Sequence, residues 1–150
     1  MAMTMNGEVV LPADKATVWA KLNDPETLKA SIPGCQSLEK TSDTSFAATA
    51  KIKIGPVSAT FKGKVNLEDL DPPNGYRIVG EGEGGVAGFA KGGAAVKLAD
   101  DPAGTKLSYD VEAQIGGKLA QLGARLINGV AKKMADEFFS KFAEAVKAGA

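Results

Sequence analysis

The sequence contains no histidine and only one cysteine, Cys35. Histidine is the common acid–base group and metal ligand at neutral pH, so its absence excludes Ser-His-Asp triads, Cys-His nucleophiles and histidine metal centres. A lone cysteine can form neither an internal disulfide nor a cysteine-ligated zinc or iron–sulfur centre. Since no histidine can activate its thiol, we expect Cys35 to be a small packed residue and not a nucleophile.

The sequence also lacks net charge and long apolar runs. Its 18 basic residues balance 18 acidic ones, so no overall field favours nucleic acid, an anionic membrane or an acidic substrate. No stretch approaches the roughly 18 apolar residues that predict a membrane span, and the N-terminal segment has no signal-peptide pattern. We therefore expect a cytoplasmic protein, folded as a single domain over residues 1–150.

Two glycine- and aspartate-containing segments resemble known motifs only superficially. Gly80, Gly82 and Gly85 have the spacing G-x-G-x-x-G, but a dinucleotide site needs a helix there, whereas a strand-like alternation resumes. Segment 69–75 resembles a calcium loop except at Pro73, where an oxygen ligand is required. No catalytic residue, metal site or tightly bound cofactor is therefore predicted.

The hydrophobic periodicity predicts an α+β domain. A first strand over residues 5–11 is followed by two short helices, the second capped by Asp24 with Pro25 at its first position. Period-two alternation with recurrent turn residues then predicts about six antiparallel strands over residues 35–115. Apolar residues at three- and four-residue steps from Leu119 to Phe142 predict one C-terminal helix, about 45 Å long.

The alternation also assigns the two faces of the predicted sheet. One face is apolar and the other carries lysines and glutamates. If the turn "DPPNG" places Leu70 opposite Gly75, three oppositely charged pairs face each other across the strands. These pairs are Lys64 with Glu81, Lys62 with Glu83, and Glu68 with Arg77.

The apolar face has an unusual lack of side-chain bulk around the segment "EGEGGVAGFAKGGAAVKL". Its inward positions are predicted to be Gly80, Gly82, Gly88, Ala90, Gly92 and Ala94. Because protein interiors are densely packed, either the C-terminal helix or a bound molecule must occupy this space. Phe138, Phe139 and Phe142 could supply the bulk, and the pattern alone leaves both interpretations open.

The predicted C-terminal helix has a polar stripe, in which Lys118, Arg125 and Lys132 recur every seven residues. Such a stripe is typical of a solvated face, and a contact with anionic lipid or an acidic partner is the alternative. Four glycines weaken the first half of this helix, which favours either a hinge or close packing.

Several phrases closely resemble the G-subunit family of carbon monoxide dehydrogenase, within the START-like (SRPBCC) helix-grip superfamily. The most specific are "IPGC", "GFAKG" and "GGKLAQLG", and the resemblance covers about residues 3–147. It implies a curved antiparallel sheet of about seven strands that grips a long C-terminal helix around an apolar cavity. Family members are encoded beside molybdenum hydroxylases and are thought to help the dehydrogenase reach the membrane and its quinone pool.

The resemblance implies a non-catalytic accessory protein of a molybdenum hydroxylase, with a quinone or other lipid as ligand, and the absence of catalytic motifs from the sequence agrees with this. A peripheral membrane or partner contact through Lys118, Arg125 and Lys132 is the alternative to a solvated stripe. Many family members carry a C-terminal membrane tail, and because this sequence stops at Ala150, soon after the helix, direct anchoring through such a tail is not expected. A cavity enzyme of the cyclase or dehydratase kind and a pure protein-docking module are the alternatives.

The ligand is expected to lie between the inner sheet face and the C-terminal helix. Tyr109 is its candidate polar contact, and an ordinary core tyrosine is the alternative interpretation. Phe89 is expected to point outward, and Gly92→Leu is expected to abolish binding without unfolding the protein. The predicted lining residues are Phe46, Ala48, Ala50, Phe61, Ile78, Gly80, Ala90, Gly92, Ala94, Tyr109, Val111, Leu122, Leu126, Val130 and Met134.

Overall fold

The alternating segments form the strands of one antiparallel sheet. The structure, a computed structural model, describes residues 1–148. The strands are β1 (Ala2–Leu11), β2 (Cys35–Ser42), β3 (Ser45–Ile54), β4 (Val57–Asp71), β5 (Gly75–Glu83), β6 (Phe89–Asp101) and β7 (Gly104–Gly116). The helices are α1 (Lys15–Leu22), α2 (Pro25–Ser31), α3 (Lys118–Gln121) and α4 (Ala124–Ala148). The strand order in the sheet is β1-β7-β6-β5-β4-β3-β2, and a short 3-10 turn, Gly85–Ala87, connects β5 to β6.

The two predicted short helices are present, and the second begins at the predicted residue. Asp24 is the N-cap of α2 and Pro25 is its first residue, as expected. The Thr27 hydroxyl donates a hydrogen bond of 2.6 Å to the Asp24 carboxylate, and this bond lowers the pKa of Asp24. Asp14 is the N-cap of α1, where its carboxylate accepts a 2.8 Å bond from the Thr17 N–H. The Asp14 carboxylate thus satisfies a backbone N–H at the start of α1, whereas the Asp24 carboxylate bonds a side chain of α2 and no backbone N–H.

The predicted register between β4 and β5 is confirmed for all three charge pairs. The turn itself differs, because Asp71 and not Leu70 pairs with Gly75. A bulge near Asp69, which has a φ of 50°, takes up the extra residue. Within the described residues none of the three pairs forms an ion pair. Their side chains remain solvated, so each pair adds little to the free energy of folding.

The predicted long C-terminal helix is present as α4, but it begins at Ala124 and not, as expected, near Leu119. Gly123, with a φ of +89°, interrupts the helical conformation between α3 and α4. An L-residue rarely adopts this conformation, whereas glycine does so freely. The predicted stripe is therefore divided, with Lys118 on α3, and Arg125 and Lys132 on the 25-residue α4.

Two hydrophobic clusters lie at opposite ends of the sheet. The first, called the main core here, contains Leu11, Val18, Leu107, Phe142 and Val146 among its buried residues and joins the C-terminal half of α4 to α1 and the sheet. The second, called the small core, is formed by Ile115, Leu119 and Ile127 with partly buried neighbours. The inner sheet face continues between these two cores.

Candidate functional site

The middle of the inner sheet face is built from two cross-strand rows of small residues. In one row Ala48 pairs with Gly63, Gly63 with Gly82, and Gly82 with Ala90. The adjacent row runs from Val65 through Gly80 and Gly92 to Ala113. Sequence reasoning missed Gly63, although the alternation from Phe61 to Val65 contained it.

Helix α4 does not fill the space above these glycines. A Cβ added at Gly82 would meet only the Lys62 carbonyl oxygen at 3.8 Å and the Gly63 Cα at 4.0 Å. A Cβ at Gly63 would likewise meet only backbone atoms of β5, the nearest at 3.3 Å. Within residues 1–148, no side chain of α4 lies within contact distance of either position, so the side of the sheet that faces the helix is open there.

Other glycines of the sheet are covered by aromatic rings. A side chain on Gly84 would overlap the Phe61 ring, and one on Gly7 would lie 2.5 Å from the Tyr109 hydroxyl. These glycines leave room for the protein's own rings. Gly63 and Gly82 differ because no aromatic ring lies over them.

The three phenylalanines of α4 do not fill the hollow either. Phe142 is fully buried in the main core, and Phe138 stacks on it with ring centroids 5.5 Å apart. Phe139 stacks on Tyr109 at 5.3 Å. These three rings therefore pack in the main core or beside it, and they do not cover Gly63 and Gly82.

Several predicted lining residues border this open region. They are only half-buried and belong to neither core, although they lie on the inner sheet face or on α4 between the two cores. These residues are Ala48, Ala50, Ala94, Val111, Val130 and Met134. Together with Gly63, Gly80 and Gly82 they define the candidate site, which we call the inner space.

The remaining predicted lining residues lie at its margins. Phe46 is only 5% exposed and belongs to the main core, against which Ile78 also packs. Phe61, Ala90 and Leu122 pack against the small core. Leu126 is 37% exposed, and its Cδ2 atom lies 3.0 Å from the position of a Cβ on Gly55 in the β3–β4 turn. The inner space is therefore smaller than the predicted set of residues suggests.

Two of the predicted inward glycines need correction. Gly88 follows the 3-10 turn with a φ of 117° and does not belong to a strand. Gly92 does lie in the sheet, but a Cβ there would overlap the carbonyl oxygen of Glu112. The expectation that Gly92→Leu leaves the fold intact is therefore wrong, since the substitution would push β6 away from β7.

Tyr109 lies at the edge of the site. Its ring points toward β1, where the hydroxyl sits over Gly7. Nearby, Asn128, Lys132 and Asp136 help to line a depression of about 390 Å³ along the seam between β1 and α4. The structure thus places Tyr109, the candidate polar contact, between β1 and α4 at the edge of the inner space and not at its centre.

A large depression lies on the opposite, outer face of the sheet. Its volume is about 700 Å³. Charged side chains surround it, namely Lys64, Arg77, Glu81, Lys91 and Glu112. Phe89 also points outward as expected, with its ring over Gly116. This groove carries charged side chains, whereas the side chains of the inner space are alanine, valine and methionine.

The inner space carries no obvious acid–base machinery. Among residues 1–148, no group of three or more His, Cys, Asp or Glu side chains could hold a metal ion. The Cys35 thiol donates to the Ser37 carbonyl at 3.3 Å, and burial raises its pKa. A raised pKa favours the neutral thiol, which is a poor nucleophile. The side chains of the inner space offer apolar contacts to a bound molecule.

The predicted contact residues Lys118, Arg125 and Lys132 are all exposed. Lys132 forms an ion pair of 3.0 Å with Asp136, one turn along α4. Within the described part of the chain, no helix is long and apolar enough to cross a membrane.

The curved seven-stranded antiparallel sheet with a long C-terminal helix defines a START-like helix-grip protein. The same fold occurs in the Zhui aromatase/cyclase from Streptomyces sp. R1128, with a TM-score of 0.68 at 10% identity over 98% of this chain and 94% of that one. A protein from Rhizobium leguminosarum has a TM-score of 0.75 at 15% identity, covering 99% and 96% of the two chains. These likenesses show the fold alone.

The chain belongs to the carbon monoxide dehydrogenase G-subunit (CoxG) family, whose pattern matches residues 7–147. A conserved protein from Geobacillus kaustophilus is also similar, with 33% identity and a TM-score of 0.91 over 97% of this chain and 96% of that one. A comparison with curated proteins gives no match.

Proposed function

We propose that this protein is an accessory protein of a molybdenum hydroxylase of the carbon monoxide dehydrogenase type. It binds a hydrophobic small molecule, a quinone or another lipid, in the inner space and helps to couple the dehydrogenase to the membrane. Family membership supports the accessory role. The apolar character of the inner space supports the class of ligand.

One observation carries the ligand-binding part of the proposal. Gly63 and Gly82 face α4, yet a methyl group on either would touch only the backbone of a neighbouring strand. Protein interiors do not leave such room without a cost in packing, so an occupant is favoured. A ring the size of an aromatic side chain, burying about 200 Å², would gain on the order of 5 kcal/mol before the costs of ordering it.

The proposal is tested by filling the space from within. Gly82→Leu places an isobutyl group in the inner space without a predicted backbone overlap. We expect it to weaken the binding of decylubiquinone, measured by isothermal titration calorimetry, by about tenfold or more. Thermal unfolding followed by circular dichroism checks that the variant is folded.

Two neighbouring alanines of β3 provide a matched control. Ala48 pairs with Gly63 on the inner face, whereas Ala47 pairs with Lys64 on the outer face. Ala48→Leu should weaken decylubiquinone binding, and Ala47→Leu should leave it unchanged. If the native protein shows no saturable binding, or if both substitutions have the same effect, the ligand proposal is wrong.

A further inference from the structure

Acidic residues are missing from three long segments of this electrically neutral chain. Residues 44–67, 84–99 and 113–135 contain ten of the 18 basic residues and none of the 18 acidic ones. Although the net charge of the whole chain is zero, its basic and acidic residues are therefore strongly segregated along the sequence.

The fold brings parts of these segments to one end of the molecule, which we call the basic end. The 3-10 turn packs on α3, and Gly117 lies against Gly88. The β3–β4 turn reaches α4 through the contact between Gly55 and Leu126. Aspartates lie in or next to every hairpin turn at the opposite end, namely Asp43, Asp69, Asp71, Asp100 and Asp101.

Apolar side chains are also exposed at the basic end. Val86 in the 3-10 turn is 84% exposed, and Phe89 at the start of β6 is 42% exposed. On α4, Leu126 lies with Leu122 and Val130 in a shallow depression. Arg125 and Lys133 line the same depression, so cations border this apolar patch.

We propose that the basic end docks on the surface of an anionic lipid bilayer. Its lysines and Arg125 face the anionic headgroups, while Val86, Phe89 and Leu126 enter the boundary between headgroups and acyl chains. Exposed apolar side chains bordered by Lys and Arg are the composition that binds this boundary. The proposal rests on the proposed function, since a bilayer is the reservoir of a quinone or lipid.

The arrangement favours a bilayer over an acidic protein. The apolar side chains project from separate elements, a loop and a helix, whereas a protein interface usually has a contiguous packed centre. The small core lies at this end of the sheet, with Leu122 at its margin. The acidic residues near this end, Glu81 and Glu83, are in register with Lys64 and Lys62 on the outer sheet face.

Vesicle flotation tests the docking surface with the full chain. We expect binding to phosphatidylcholine vesicles containing about 30 mol % phosphatidylglycerol, weaker binding in about 0.5 M salt, and little binding to phosphatidylcholine alone. The triple variant Lys118→Gln, Arg125→Gln, Lys133→Gln should bind at least about tenfold more weakly. The double variant Val86→Ser, Phe89→Ser should also lose binding.

Variants at the opposite end serve as controls with the same change in charge or polarity. Lys40→Gln, Lys141→Gln, Lys147→Gln removes three exposed cations there. Val10→Ser, Leu70→Ser removes side chains that are 47% and 41% exposed. Both control variants should float with anionic vesicles as the native protein does.

Three results would overturn the docking proposal. The first is that the native protein fails to bind anionic vesicles, and the second is that the control variants lose as much vesicle binding as the basic-end variants. The third result is that the basic-end variants lose binding to an acidic protein, while the native protein binds that protein and never binds vesicles. The vesicles contain no quinone and the ligand titration contains no lipid. Failure of docking is therefore distinguishable from failure of the proposed ligand site.

Discussion

Individual glycines in the strands or next to them have two different structural roles. Gly7 and Gly84 leave room for the rings of Tyr109 and Phe61, whereas Gly63 and Gly82 face unfilled space. Alternation in the sequence predicts which glycines point inward, because side chains alternate between the faces of a strand. It cannot predict which ring covers which glycine, since that depends on how strongly the sheet is coiled.

A buried hydroxyl at the start of β7 gives a test of local stability. The Thr105 hydroxyl is fully buried and donates a 2.7 Å hydrogen bond to the Ala13 carbonyl, which holds the segment before α1 against the sheet. Thr105→Val keeps the shape but removes the donor from this carbonyl. Urea unfolding should show a loss of about 1–3 kcal/mol. Thr105→Ser should lose less, and equal losses would contradict a role for the hydrogen bond.

The C-terminal helix shows where an element can and cannot be predicted. Apolar spacing continues smoothly from Leu119 to Phe142, so periodicity alone indicates one helix. The break depends on the backbone at Gly123, and Gly129 has the same residue type but remains inside α4. Sequence shows that glycines weaken this region but not which of them interrupts the helix.

This difference predicts opposite effects for the same substitution. A Cβ on Gly129 meets nothing within 4 Å, so Gly129→Ala should stabilise the protein by about 0.5–1 kcal/mol. At Gly123 the space is equally open, but the φ of +89° strains an alanine, so Gly123→Ala should destabilise by about 1–2 kcal/mol. Thermal unfolding measures both. Stabilisation by Gly123→Ala would show that α3 and α4 can join without penalty.

The whole molecule combines an apolar inner space with a segregated surface charge. The order of elements, the β4–β5 register at the three charge pairs and the inward-facing residues of β3 to β7 other than Gly88 followed from the sequence, because alternation and turn residues are local properties. The extent of the inner space did not follow. It depends on where α4 crosses the sheet and on the packing of Phe138, Phe139 and Phe142 into the main core and beside it.

The four methionines of the chain provide the most direct test of the central claim that the inner space accepts an apolar guest. Met134 on α4 and Met5, paired with Val111 on the inner sheet face, are half-buried near this space, whereas Met1 is exposed. In a methionine-methyl NMR titration with decylubiquinone, we predict saturable shifts of the Met134 and Met5 signals and an unchanged Met1 signal. Unchanged Met134 and Met5 signals at saturating probe would contradict the account.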